Sequence, residues 1–403
     1  MRILFTTSGH AGHLIPLLPF AHAAARAGHD VLVATQRSRM AAVERAGIAA
    51  AGFPDAPEER WHPLLARLAT LPVGEADALA LRDGFAGLLA PAALPDLLRL
   101  VAGWRPDLVV RESFEFAGGL AAEAHGVPLA RIGLGLEQSE EWAIAHAAPA
   151  VDAQRGALGL RPDPRGDVLR GAPYLTLVPN ALEVPGARQP APVHRFRDGR
   201  TALRVADGDA RPLAYVTFGS VVGSLPLFPE LHRAVLGALA ELPVRVLVTL
   251  GHGADSAALG PLPEHVRVES WTPQDAVLGR AAVVICHGGS GTTYGALAHG
   301  VPVVALPLFS GDQWNNARRA AATGAGIALE GAVRGAMELP GADVFGALPG
   351  AVRRVLAEPG FRRAARGLAT AFAALPPVDE APAVLEAIAG VRPQLAVRHA
   401  PMR

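Results

Sequence analysis

The chain has 403 residues, too many for a single hydrophobic core, so two domains of about 200 residues each are expected. Half of it is apolar and 18% charged, which excludes a disordered chain; zero formal net charge and a pI near 7.3 argue against a nucleic-acid binder. It contains no lysine, which excludes a Schiff-base lysine and a lysine-bearing phosphate loop.

In chain order, the opening stretch reads as a strand (Ile3–Thr6), a loop, a helix over about Pro16–Ala27 closed by Gly28, and a strand (Val31–Thr35). A further strand ends near Val110, followed by another helix and strand. This alternation means a parallel sheet covered by helices. Residues 53–85 break the rhythm and carry Phe53, Trp61 and Phe85; Phe114, Phe116 and Trp142 follow further on. The pentapeptide Ala-His-Gly-Val-Pro occurs at 124–128 and again at 298–302, ending a helix and opening a strand each time. Residues 179–212 are rich in Pro, Gly and Arg and read as a linker. A new domain opens with a strand at 214–220, and the expected boundaries are 1–205, 213–376 and a C-terminal helix with its tail over 377–403. Residues 327–345 give no clear element. The N-terminus lacks a signal-peptide core, and no consecutive apolar run reaches the roughly 18 residues a span needs, so a cytoplasmic protein without a membrane span is expected. Cys286, the single cysteine, ends a buried strand and reads as an inert packed thiol.

The densest stretch runs from Trp271 to Gln313. It reads as a buried strand, a small loop (His287, Gly288, Gly289, Ser290, Gly291), a helix, and a second strand. A glycine-rich loop entering a helix offers backbone N–H groups and a positive dipole end to an anion, so a phosphate site is expected at 287–293. His287, at the strand end, can donate to a diphosphate oxygen. Asp312 and Gln313 follow the next strand and suit vicinal sugar hydroxyls. Trp271 presents a flat face to a base.

Trp271, Pro273, Gln274, Leu278, His287, Gly289, Gly300, Pro302, Pro307, Asp312 and Gln313 together resemble the donor signature of family-one nucleotide-sugar glycosyltransferases of the actinomycete natural-product type. The resemblance implies the GT-B fold: two Rossmann-like α/β domains facing across a cleft. It implies that Trp271 and the backbone of Thr272 to Gln274 hold the base. His287, Gly289, Ser290, Gly291 and Thr292 would hold the diphosphate, with help from Ser220, and Asp312 with Gln313 the sugar. Plant relatives carry a ribose-binding glutamate where this chain has Gly295, which favours a TDP-sugar over a UDP-sugar.

Transfer needs a base for the acceptor hydroxyl. His13, in the loop after the first strand, matches the family's Gly-His-x-x-Pro segment and is expected to be that base; a mere cap on the next helix is the alternative. Glu112 stands where the family has an aspartate that orients the base, with Glu115 as the other candidate. His10, Trp61, Phe85, Phe116 and Trp142 are candidates for acceptor contact. Asp207-Gly208-Asp209 has the form of a cation motif but reads as an exposed turn, so no metal and no cofactor beyond the nucleotide-sugar co-substrate is expected. The implied activity is inverting, metal-independent transfer of a deoxysugar to a hydroxyl of a hydrophobic aglycone. C-transfer, a UDP-sugar donor, and a silent partner of another transferase stay open, as does a homodimer.

Overall fold

The computed structural model describes residues 1–8, 11–186, 191–199, 211–251, 253–332, 335 and 337–390. The first half holds seven strands: β1 (Arg2–Thr6), β2 (Asp30–Gln36), β3 (Ala49–Phe53), β4 (Leu108–Glu112), β5 (Leu129–Ile132), β6 (Tyr174–Thr176) and β7 (Val193–Arg195). They form one parallel sheet in the order β3-β2-β1-β4-β5-β6-β7. Its helices are α1 (Ala11–Arg26), α2 (Met40–Arg45), α3 (Glu58–Thr70), α4 (Val73–Leu79), α5 (Ala90–Trp104), α6 (Ala117–His125), α7 (Glu137–Ala157) and α8 (Asp167–Gly171). The second half repeats the plan with β8 (Leu213–Thr217), β9 (Arg245–Thr249), β10 (Val266–Glu269), β11 (Val283–Cys286), β12 (Val303–Ala305) and β13 (Gly326–Ala328), ordered β10-β9-β8-β11-β12-β13 and again parallel. Helices α9 (Glu230–Leu239), α10 (Gln274–Leu278), α11 (Ser290–Ala298), α12 (Gly311–Ala322), α13 (Ala342–Ala357) and α14 (Pro359–Ala373) cover it, and α15 (Ala381–Gly390) ends the described chain.

The strands are apolar throughout because both faces are covered: β1, β4, β8 and β11 are buried along nearly their whole length. Ile3 and Phe5 of β1 point into one core with Leu17 and Phe20 of α1, while Leu4 points into the opposite core with Leu97 and Leu120. Val378, Ala381 and Leu385 join the first of these cores, so the last described helix packs on the first half. The repeated pentapeptide makes the same closure twice. Gly126 and Gly300 take positive φ (65° and 67°), Val127 N donates to Ala122 O and Val301 N to Ala296 O, both at 2.9 Å. Pro128 and Pro302 then place their carbonyls to accept from Val109 N and Val284 N in the neighbouring strands.

Several expectations change. The first helix begins at Ala11 and contains Pro16 and Pro19, so His13 lies in its first turn and not in a loop. An interior proline costs about 3 kcal/mol, so the two together cost about 6; burying Leu14, Leu17 and Phe20 contributes about 1.5–3 kcal/mol each, a gain on the same scale. The stretch read as a linker contributes β7, the last strand of the first sheet; its residues 187–190 and 200–210 lie outside the described ones, as do Asp207 to Asp209 and the tail 391–403. The helical run Val73–Trp104 is long and apolar enough to cross a membrane, contrary to a count of consecutive apolar residues. Its inner face, including Ala86, Leu94, Leu97 and Val101, packs in the core of the first half. Residues Ala80–Leu89 within it are wound as a π-helix.

Candidate active site

The carboxyl ends of the two sheets face each other, and α1 of the first half lies against α11 of the second. From the first edge comes His13. Its Nδ1 donates to Glu112 Oε1 at 3.0 Å, and its side chain is 16% exposed. Glu112 ends β4, so the strand itself aims the carboxylate, which also accepts from Ser8 N (3.1 Å) and Phe114 N (2.7 Å). Burial works against the charge of Glu112, but His13 and these two N–H groups hold its carboxyl below the usual range. Burial likewise works against protonation of His13, yet the Glu112 charge and hydrogen bond, reinforced by Asp312 and Glu140, hold the imidazole above the ordinary histidine value. Because Glu112 fixes the proton on Nδ1, the lone pair of neutral His13 is on Nε2.

Glu115, the other candidate partner, turns away. It accepts from Thr6 Oγ1 and from Gly118 N at 3.0 and 3.1 Å, closing the entry to α6, and burial pushes its carboxyl up to about 7. The sequence left the two glutamates open; backbone geometry separates them.

Two rings flank His13. Phe85 stacks on it with centroids 5.4 Å apart and planes 23° from parallel, and Phe114 meets it edge-on at 5.6 Å. Phe85, Phe114 and Phe116 line a small cavity with Ser8 and Phe53, in which the Ser8 hydroxyl is buried without a partner among the described residues. Phe116 is 1% exposed and lies under Arg111. Trp61 packs with Leu64, Leu79 and Leu88 in a separate cluster, and Trp142 stands on the surface against His146, so neither joins His13. His10 lies outside the described residues. Phe114 and Ser8 are not among the site residues expected from sequence; the local signal for them is position alone, Phe114 two residues after Glu112 and Ser8 five before His13.

The second edge carries the loop after β11. Gly288 takes φ 86° and a Cβ there would lie 2.4 Å from Gln313 O, so glycine is required. Gly289 precedes α11, and the open space around Gly291 leaves the first turn of that helix approachable. Ser290 Oγ accepts from Asn316 (3.2 Å), and Thr292 Oγ1 accepts from Gln274 Nε2 at 3.1 Å. Thr272 and Ser220 are half-buried at the same edge, and Trp271 is 62% exposed. His287 is buried beside Phe309, its Nδ1 has no partner among the described residues, and burial pulls it down to about 4. The ring is therefore neutral and offers an N–H, not a charge.

Asp312 and Gln313 stand in the first turn of α12, not in a loop. Gln313 Oε1 accepts from Leu308 N (2.9 Å) and Phe309 N (3.2 Å), so its oxygen shapes the loop before the helix and its Nε2 is the side chain's remaining donor. Asp312 is close enough to His13 that each charge acts on the other. Among the described residues no three His, Cys, Asp or Glu side chains converge as a cation site.

Two parallel-sheet domains facing across a cleft, with a glycine-rich strand-to-helix turn in the second, define a GT-B glycosyltransferase. Comparison with known proteins places the chain more closely. The C-terminal domain of the family described as erythromycin biosynthesis protein CIII-like matches residues 233–388, and its N-terminal domain matches residues 22–159. The elloramycin glycosyltransferase ElmGT of Streptomyces olivaceus is 34% identical over 413 residues, covering 94% of this chain and 96% of that one. Among solved structures, glycosyltransferase SnogD from Streptomyces nogalater is 30% identical with a TM-score of 0.73, covering 97% and 99% of the two chains. SsfS6 of Streptomyces sp. SF2575, complexed with thymidine diphosphate, is 25% identical with a TM-score of 0.71, covering 96% and 99%. The chain belongs to the erythromycin biosynthesis protein CIII-like family and is a nucleotide-sugar-dependent glycosyltransferase of the actinomycete natural-product type.

Proposed function

We propose that this chain moves a deoxysugar from a TDP-sugar to a hydroxyl of a hydrophobic natural product, with inversion, without a metal, and with His13 as the base. The observation that carries the reading is the Nδ1 to Glu112 bond at 3.0 Å, which sets Nε2 as the proton acceptor. The acceptor hydroxyl gives its proton to Nε2 as its oxygen attacks the anomeric carbon, and the bond from that carbon to the diphosphate breaks. Glu112 holds the ring and stabilises the imidazolium that forms. One in-line displacement inverts the anomeric centre. The departing diphosphate is met by N–H groups of the first turn of α11, by Ser290 and Thr292, and by the neutral His287, with Ser220 beside them. Trp271, with Thr272 and Gln274, holds the base, while Asp312 and the Nε2 of Gln313 take the sugar hydroxyls.

The choice of TDP rests on Gly295 standing where plant relatives have a ribose-binding glutamate, and on the thymidine diphosphate in the related SsfS6. The choice of acceptor rests on Phe85, Phe114 and Phe116 around the base. To test it, the purified chain is incubated with a TDP-deoxysugar and a panel of polycyclic phenols and alcohols, with and without EDTA. The expected product is an O-glycoside whose anomeric NMR coupling shows inversion, formed at the same rate with chelator. Retention at the anomeric carbon, a C-glycoside, or loss of transfer on chelation would contradict it.

A further inference from the structure

Asp77 belongs to neither the base pair nor the nucleotide site, yet it is bound to the helix that carries the sugar-facing residues. It projects from α4 of the first half, and its Oδ2 accepts from Gly311 N, the first residue of α12, 234 positions away in the chain. Ser310 occupies the N-cap of α12, where a serine usually bonds back to its own helix. Here the serine makes no such bond, and its hydroxyl serves the carboxylates of both Asp77 and Asp312. The cap of α12 is thus supplied by the other domain. A Cβ on Gly311 would lie 2.7 Å from Asp77 Oδ2, so the contact needs glycine there.

What α12 touches gives this contact its reach. On one side Asn316 Nδ2 donates to Gly288 O (2.8 Å) and Ser290 Oγ (3.2 Å), and Tyr294 donates to Asn316 Oδ1 at 2.6 Å, so α12 is fixed to the phosphate loop. On the other, Asn315 Nδ2 donates to Ser139 Oγ of α7 at 2.9 Å, a second tie across the cleft. Asp312 is the residue next to Gly311. Burial pushes the Asp77 carboxyl up to about 7; the Gly311 N–H opposes that rise, and the charge of Asp312 adds to it.

We infer that Asp77 is a positioning residue that caps α12 from the opposite domain, and so sets where Asp312 and Gln313 hold the donor sugar relative to His13. The inference rests on the proposed roles of those three residues. It separates sugar placement, which depends on the cross-domain cap, from nucleotide binding at Trp271 and the α11 turn, which does not.

The test is steady-state kinetics on Asp77→Ala, Asp77→Asn and Gly311→Ala beside His13→Ala, with TDP affinity and Tm measured for each. A hydrogen bond to a charged group lost at Asp77→Ala raises KM for the TDP-sugar and lowers kcat, each by about tenfold, while TDP affinity stays within about twofold. Asp77→Asn, whose amide oxygen still accepts from Gly311 N, recovers most of the loss. Gly311→Ala, which pushes the carboxylate away from the other side, reproduces the alanine phenotype and serves if Asp77→Ala does not fold. Unchanged kinetics in Gly311→Ala and Asp77→Ala would overturn the inference, as would equal loss of TDP affinity and sugar turnover. Full transfer by His13→Ala would instead remove the base reading, whatever the Asp77 variants do.

Discussion

At the edge of the first sheet His13, Glu112 and Glu115 are already held by their neighbours, whereas at the edge of the second several groups stand ready for something else. Glu112 accepts from His13, Ser8 N and Phe114 N, and Glu115 from Thr6 and Gly118 N. Across the cleft, Nδ1 of His287 is buried without a partner among the described residues, Gly291 borders open space, and Trp271 is 62% exposed. The difference fits the roles proposed for the two edges. A base needs its tautomer and its charge partner fixed before the substrate arrives, because reorganising them during the reaction would raise the barrier. A site for a diphosphate and a base needs donors and flat surface left available.

The comparison is best broken by variants that act on one edge alone. His13→Ala should have the largest effect, lowering transfer by about a hundredfold to ten-thousandfold, the range general bases contribute, with TDP affinity unchanged by calorimetry. Equal loss of both would mean that His13 supports the structure and not the reaction. Trp271→Ala should do the converse on a smaller scale. Loss of a base-stacking face costs about 1–3 kcal/mol, so TDP affinity and the donor KM weaken about tenfold or somewhat more, while kcat at saturating donor stays near wild type. A kcat effect as large as the KM effect would show that the two edges are not separable in this way.

The same contrast explains what the sequence made legible. The donor edge is nearly contiguous: strand, glycine loop, helix and strand lie between Trp271 and Gln313, so spacing alone orders the parts. The repeated Ala-His-Gly-Val-Pro announced two halves of one plan, and the identical bonds from Val127 and Val301 show why that pentapeptide recurs. The edge around His13 is assembled from residues 6, 8, 13, 85, 112 and 114, brought together only by the fold. Asp77 carries no local signal, since its partner lies 234 residues on. The start of α1 was missed because Pro16 resembles a helix entry, while the buried face that continues the helix back to Ala11 depends on packing. The neutrality of His287 is likewise a consequence of burial, which no motif spells out.

The claim that most needs testing is that His13 works as a neutral base held by Glu112. Protonated His13 cannot accept a proton, and its pKa lies above the ordinary value of about 6.5. The acid limb of kcat/KM should therefore fall above pH 6.5, with rate rising as pH increases through it. Glu115 and Asp77, both near 7, titrate in the same range, so the limb must be assigned by substitution. Glu112→Gln removes the charge that raises His13, and the measurement is the pH dependence of kcat/KM for this variant against wild type. The account predicts a limb displaced to lower pH together with a reduced maximum; a limb that stays where it was would contradict it.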